Sequence, residues 1–582
     1  MKFGRVVSGA AILVLGAGFS LKAAQNDAVL NAMQAELKRS MTLTLNQLDK
    51  PYFLSYTVDD EHTWSAAASF GGLISSNSSD FRVPHLRLRV GDYKFDNSNW
   101  TGANASGPRY NLRSFPIEDE NPLVLRQYLW LATDSAFKGS LQSIARKRAA
   151  LRNVTVSDEL PDLAPVMPFV SIEDYHPVKF DAKTWEDRTR RISAVFSEFP
   201  SLRNSDVAYS AVDSLHRFVS NEGTSVRVQE SMGTVEIQAS AQAADGMIVR
   251  DLDVFYTRDP QKMFSEEELT KAAHSLGQQV LKIATAPLGD NYTGPVLFEG
   301  EASPQLMAEI LGRNLHISRK PVAAPGAAAQ ANSTELEGRR GVRIMPEIFD
   351  VTDDPTAPGF GHEEVDDEGV PDKPLSLVEK GVLKDFLRTR QPVRGYDDSN
   401  GHARLTGSYG AEVPVPTNLL IKARETSSIS DLKKKLIDLI DQRGLPYGIV
   451  VRKMDFPSSA SIEEARRILS AGSAGGSSRP VSLPLYVYRL YPDGHEELVR
   501  GERFKGINAR SLKDILAAGD DSVTFNYLDN GAPFALLGYG SGAAQVSVVA
   551  PSVLIDDLEM AKIDDEMPKL PLVPAPLTLS QK

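Results

Sequence analysis

Not one cysteine occurs in the 582 residues of this chain. A fold of this length must therefore hold by packing and hydrogen bonding, because no disulfide can close a loop. The same zero excludes Cys-bearing zinc sites, a thiol nucleophile and an acylated lipoprotein cysteine. Hydrophobic residues make up 42% of the chain, enough for ordinary globular cores. At roughly 150 residues per domain the length fits three or four domains, or two large ones. Lysine plus arginine is 64 against 76 for aspartate plus glutamate, a formal net charge of −12. That balance argues against a nucleic-acid partner, which needs phosphate-neutralising Lys/Arg surface.

The first 24 residues read as a secretory signal. Lys2 and Arg5 form a basic start, Val6 to Leu21 an apolar run, and Lys22 precedes the small residues Ala23 and Ala24. Cutting after Ala24 puts Lys22 at the −3 position, and cutting after Ser20 puts Gly18 there. The alternative is an uncleaved anchor, for which the run is slightly short of the ~20 residues a span needs. The expectation is export, periplasmic or extracellular, with no membrane span after signal removal.

Hydrophobic periodicity divides the rest into an N-terminal domain, residues 25–287, a C-terminal domain, 288–567, and a disordered Pro-rich tail, 568–582. In the first domain, Asp27 to Leu48, Pro122 to Arg152, Trp185 to Phe199 and Glu266 to Ile283 have helical patterns. YFLSYTV, SAAASFGGLI and HLRLRVGDY read as three strands, four more fall between Val207 and Tyr256, and VQESMGTVEIQA reads as a hairpin. In the second, helices fall at Ser303 to Leu315 and Ser428 to Gln442, with hairpins turning at Glu379-Lys380-Gly381 and Pro492-Asp493-Gly494. Pro321 to Ser333 and Ala471 to Pro480 read as flexible loops. The fold class is α+β, antiparallel sheets with packed helices.

Chemistry-bearing residues are scattered. None of the nine histidines forms HExxH. His274 sits in an amphipathic helix and reads as a surface residue. His402, in the loop SNGHARL beside Arg404, is a better candidate. Val351 to Asp372 holds eight acids, Asp366 and Glu368 among them, but not at EF-hand spacing, so a solvated loop is the plain reading. GYGSG (Gly538–Gly542) lacks the glycine that a nucleophile elbow needs two residues before Ser541.

Four ordered segments carry a resemblance: Asp366 to Pro371 (DDEGVP), Val378 to Lys384 (VEKGVLK), Ser399 to Arg404 (SNGHAR) and Pro414 to Asn418 (PVPTN). In this order they resemble the TldD/PmbA family, and YFLSYTV, ASFGGL and RVGDYKFDN fit its N-terminal part. The resemblance implies a two-domain α+β protein that dimerises. TldD-type members are zinc metallopeptidases. A helix carrying HExxxH and a cysteine near the C-terminus hold their metal, and the Glu is base for the metal-bound water. PmbA (TldE)-type members lack the motif and act as partners.

Carried onto this sequence, the motif helix is ASPQLMAEILGRNLH. Matching Glu309 places Ala308 and Arg313 where the two histidines stand in the family, and the cysteine, near Leu537 to Gly540, is absent with all the others. Without a metal, the helix reads as capped by Ser303 with Pro304 in its first turn, its Glu309 and Arg313 an exposed i,i+4 ion pair; a relic base is the second reading of Glu309. The resemblance then implies a non-catalytic, TldE-like or peptide-binding protein with no cofactor. It would form a homodimer or a heterodimer with a TldD-like paralogue. The alternative is an active metallopeptidase whose zinc is held elsewhere, by His402 or His362 with the acidic loop. Cleft or loop residues would be His402, Arg404, Asp366 and Glu368. Composition alone supports only an exported α+β binding protein.

Overall fold

The computed structural model describes residues 27–101, 121–152, 160–323, 334–406, 411–456, 481–529 and 543–564, and Pro576 alone in the tail. The residues read as a signal, Ala471 to Pro480, GYGSG, the family cysteine's position and the Pro-rich tail apart from Pro576 lie outside the described residues, as does most of Pro321 to Ser333. No helix among the described residues is long and apolar enough to cross a membrane.

The first sheet has six strands: β1 (Pro51–Ser69), β2 (Gly72–Val90), β3 (Val170–Ile172), β4 (Leu202–Ser220), β5 (Ser225–Gln242) and β6 (Ile248–Thr257). Its order is β2-β1-β4-β5-β3, with β6 also on β5, and all pairings are antiparallel except β3 with β5. The three strand segments expected before residue 93 are two. SAAASFGGLI turns over at Phe70 and Gly71, both with positive φ (46° and 83°), which a two-residue hairpin turn demands. VQESMGTVEIQA is the opposite correction: it runs straight within β5. Gly233 there is no turn residue. A Cβ on it would meet Met263 and Thr257, so the glycine lets a neighbouring loop close in.

Alternation along β1 sorts its two faces. Leu54, Tyr56 and Val58 pack with α1 (Ala28–Ser40) and α2 (Pro122–Ala150); Trp64 and Ala66 pack with Ile192 and Leu276 of α3 (Ala182–Ala194) and α4 (Glu266–Thr285). Side-chain caps fix the helix starts: Asp27 accepts from Leu30 N, Asn121 from Leu123 N, and Ser265 with Glu268 forms a capping box. The other face of the sheet, with Thr57, Asp59 and Glu61, turns toward the second half, where Phe218 and Val226 pack on Val365.

The chain leaves this sheet through α4 and enters an eleven-stranded mixed sheet. Its centre is β19 (Ala544–Lys562), flanked by β7 (Tyr292–Phe298), β13 (Asn418–Ala423) and β18 (Ile515–Asp529). The hairpin at Lys380-Gly381 forms as read, with both residues at positive φ. α6 (Ile429–Arg443), capped by Ser428 and ended by Gly444 at φ 64°, covers one face through Leu432, Leu436 and Ile440. The other face buries α5 (Ala302–Ile310).

Charged contacts join the halves. Lys453, at the end of β14 (Gly448–Met454), lies 2.8 Å from Asp251 and 2.6 Å from Asp253, and Tyr486 donates to Asp251. Arg390 donates to Glu222 (2.7 Å) and Arg87 to Glu368 (2.7 Å).

Candidate functional site

α5 is the motif helix, and all nine of its residues are buried. That overturns the amphipathic reading, because no solvent side exists. Its start is also shifted: Glu301 precedes the helix without a side-chain cap bond, and Ser303 lies inside it, donating to Pro551 O at 2.6 Å. Gln305 holds the end of β14, accepting from Met454 N at 2.7 Å.

Glu309 is no surface ion-pair residue. It is 6% exposed and accepts two bonds from Ser482, from the backbone N–H (2.8 Å) and from the hydroxyl (2.8 Å). Arg313 follows α5 in a 3₁₀ turn, its guanidinium 5.9 Å from the Phe456 ring. Phe456 stands edge-on to Tyr527 (5.2 Å). Burial and the Asp529 charge hold the Tyr527 hydroxyl well above its ordinary pKa. Burial, helped by Arg313, pushes His316 down to about 4, so its ring is neutral.

A zinc ion does not suit these residues. Ala308 offers no donor atom and its methyl is enclosed. Arg313 brings a cation, and both Glu309 oxygens are taken by Ser482. Among the described residues, no group of three or more His, Asp or Glu is placed to hold a metal ion.

The other candidate residues form a buried scaffold rather than an open cleft or loop. His402 is fully buried, with Nδ1 2.9 Å from Asn400 O and Nε2 3.1 Å from Asp353. Asp353 in turn accepts from the Thr417 backbone N–H and hydroxyl. Asp366 is a turn-holder: it accepts from Glu368 N (3.0 Å), Val370 N (2.8 Å) and Ala403 N (3.1 Å) around Gly369 at φ 76°. Glu368 takes Arg87 on one oxygen and Arg390 N (2.5 Å) on the other. Arg404 bridges Glu363 and Asp372. The acidic segment is thus largely enclosed, which corrects the solvated-loop expectation. Burial raises the Glu363 and Asp366 carboxyls well above the carboxylate range and Asp372 to about 6, against the pull of Arg404. His362 accepts from Arg258 through its carbonyl, and its ring Nδ1 lies 2.9 Å from Pro355 O.

Residues 291–455 match the PmbA/TldA metallopeptidase C-terminal domain. This region therefore carries a domain of the TldD/PmbA family, the one that the four ordered segments resemble. A stretch of 83 residues is 40% identical to a metalloprotease of Archaeoglobus fulgidus, covering 14% of this chain and 19% of that protein. A stretch of 189 is 28% identical to a metalloprotease of Methanothermobacter thermautotrophicus, covering 32% and 38%. The chain therefore spans less than two fifths of the curated relatives it matches. Among solved structures, TldE of Thermococcus kodakarensis is similar at TM-score 0.58 and 12% identity, covering 92% of this chain and 100% of that one. A Thermotoga maritima protein described as a modulator of a DNA gyrase is similar at 0.55 and 16%, covering 88% and 96%. At such identities these two show a shared fold, the α+β architecture read from the sequence.

Ser482 was invisible to the sequence reading because it lies 173 residues from Glu309. Tyr527 and Asp529 were equally hidden. The sequence does carry one signal: Asp59, Asp60, Glu61 and His62 interrupt an otherwise apolar strand.

Proposed function

We propose that this TldD/PmbA protein is a non-catalytic, TldE-like subunit or peptide-binding homologue, exported and without a resident metal. One observation carries the reading: the helix position that supplies His, Glu and His in TldD-type members here holds an enclosed Ala308, a Glu309 tied to Ser482 and a cationic Arg313. The partner would be a second copy or a TldD-like paralogue with intact HExxxH. The basic, apolar and small-residue order of residues 1–24 supports export.

The test is metal analysis and peptide cleavage on the purified protein. Less than a tenth of an equivalent of zinc and no cleavage is the expected result. Stoichiometric zinc with chelator-sensitive cleavage would overturn it in favour of an active metallopeptidase with another metal site. Pull-down from the native source separates the partners by whether a homologue bearing HExxxH comes with it.

A further inference from the structure

The face of the first sheet that turns toward the second half carries a set of acids of which Asp59 is paired with a histidine. Asp59 pairs with His216 across β1 and β4, and Glu61 pairs with Ser214, which pairs in turn with Glu230 on β5. Residues paired across antiparallel strands share a face, so Asp59, Glu61, His216 and Glu230 project together, with Glu61 and Glu230 two strand spacings, roughly 10 Å, apart.

Glu61 is the unusual member. It is 7% exposed, and among the described residues it has neither a hydrogen bond nor an ion pair. Glu230 is exposed and likewise has neither. The cations nearby are committed elsewhere. His216 Nδ1 lies 2.7 Å from Asp59. Arg258 donates to the carbonyls of Phe360 and His362. Arg87 is bound to Glu368. A nearly buried carboxylate without a partner is costly to fold unless it is neutralised or meets a cation.

We propose that the patch of Asp59, Glu61 and Glu230 binds a protonated primary amine of a peptide, a lysine side chain or the amino terminus. The proposal rests on the peptide-binding reading above. Three features fit an ammonium. Glu61 supplies a desolvated acceptor, the exposed Glu230 leaves an approach from solvent, and Ser214 between them supplies a hydroxyl. The groups facing Glu61 agree in sign. Burial with Asp59 and Glu230 lifts Glu61 to about 8, and burial drives His85 down to about 4. His216, held up to about 10 by Asp59 against its own burial, is already paired. An arriving ammonium takes the place of the proton on Glu61, so binding near neutral pH releases a proton.

The test titrates the full chain with four nonapeptides of one sequence. They carry lysine or norleucine at the centre, each with a free or an acetylated amino terminus. Calorimetry in two buffers of different ionisation enthalpy reads affinity and proton release. A lysine peptide at least tenfold tighter than its norleucine counterpart supports the side chain; a free terminus at least tenfold tighter than an acetylated one supports the terminus. In either case Glu61→Gln should weaken binding at least tenfold and abolish the proton release, and Glu230→Gln, at an exposed position, should weaken it without affecting folding. Equal affinities for all four peptides, no binding at millimolar peptide, indifference to Glu61→Gln in a folded variant, or displacement of the peptide by calcium or zinc chloride would each overturn it. Cleavage of the peptides would sink the non-catalytic reading and leave the amine site standing; equal binding would do the reverse.

Discussion

Glu309 and Ser482, 173 residues apart, are joined by two hydrogen bonds of 2.8 Å. The carboxylate that aligns with a catalytic base is here a fastener between α5 and the strand that follows, β15 (Pro484–Leu490). With both oxygens occupied inside the core, it has no open position from which to orient a water.

Removing the hydroxyl of that pair should cost stability. Ser482→Ala leaves Glu309 Oε1 buried with one acceptor unfilled, a loss of about 1–3 kcal/mol. Equilibrium urea unfolding should show a lower midpoint at unchanged slope; an unchanged midpoint would mean that water replaces the hydroxyl.

Reinstalling the two family histidines should not restore a metal site. Ala308 is fully enclosed, so Ala308→His forces an imidazole into packed core at a cost of about 1–3 kcal/mol or more. The Ala308→His/Arg313→His protein should be less stable and bind zinc no tighter than the parent in a chelator competition. Tight, stoichiometric zinc would refute this.

The joint between the halves depends on Lys453. Asp251 is 1% exposed, and Lys453 sits 2.8 Å from it. Lys453→Met strands a buried carboxylate, which costs roughly 3–5 kcal/mol. Lys453→Met/Asp251→Leu should recover most of that, because the uncompensated charge leaves with its partner. A double-mutant unfolding cycle measures the coupling.

Glu502 should make stability fall with rising pH. It is 2% exposed, neither of its oxygens has a well-formed hydrogen bond, and burial raises it to about 7, with Arg489 and the Asp290 backbone opposing only in part. A carboxyl raised above its unfolded value of 4.5 binds more protons folded than unfolded between those limits. Stability from this group is therefore present below pH ~4.5 and lost as pH rises to ~7. Glu502→Gln should flatten that part of the curve and stabilise the protein at pH 8 by on the order of 1–3 kcal/mol. An unchanged pH profile of thermal midpoints would discount the residue.

Much of the secondary structure was legible because it is written locally. Ser428 and Gly444 bracket one helix, Ser265 and Glu268 begin another, and Lys380-Gly381 makes its hairpin, all within a few residues. The misreadings arose where the decisive contact is distant. Gly233 looks like a turn until Met263 is seen against it, and the apolar stripe of α5 looks one-sided until the core encloses all nine of its residues. His402, Asp366 and Glu368 were picked out for position in a motif, but whether they face solvent or core depended on strands far away.

By itself the sequence determined the α+β class, the likeness to the TldD/PmbA family and the absence of that family's metal-ligating side chains, since these follow from residue identity, order and local period. The tertiary structure alone decided what the remaining polar groups do. It buried Glu309 against Ser482, made Asp366 a turn-holder and Glu368 a partner of Arg87, and left Glu61 on a sheet face with no partner among the described residues. The reason is physical: the free energy of a carboxylate depends on its hydration and on the charges around it, and both are set by residues that the chain brings together only on folding.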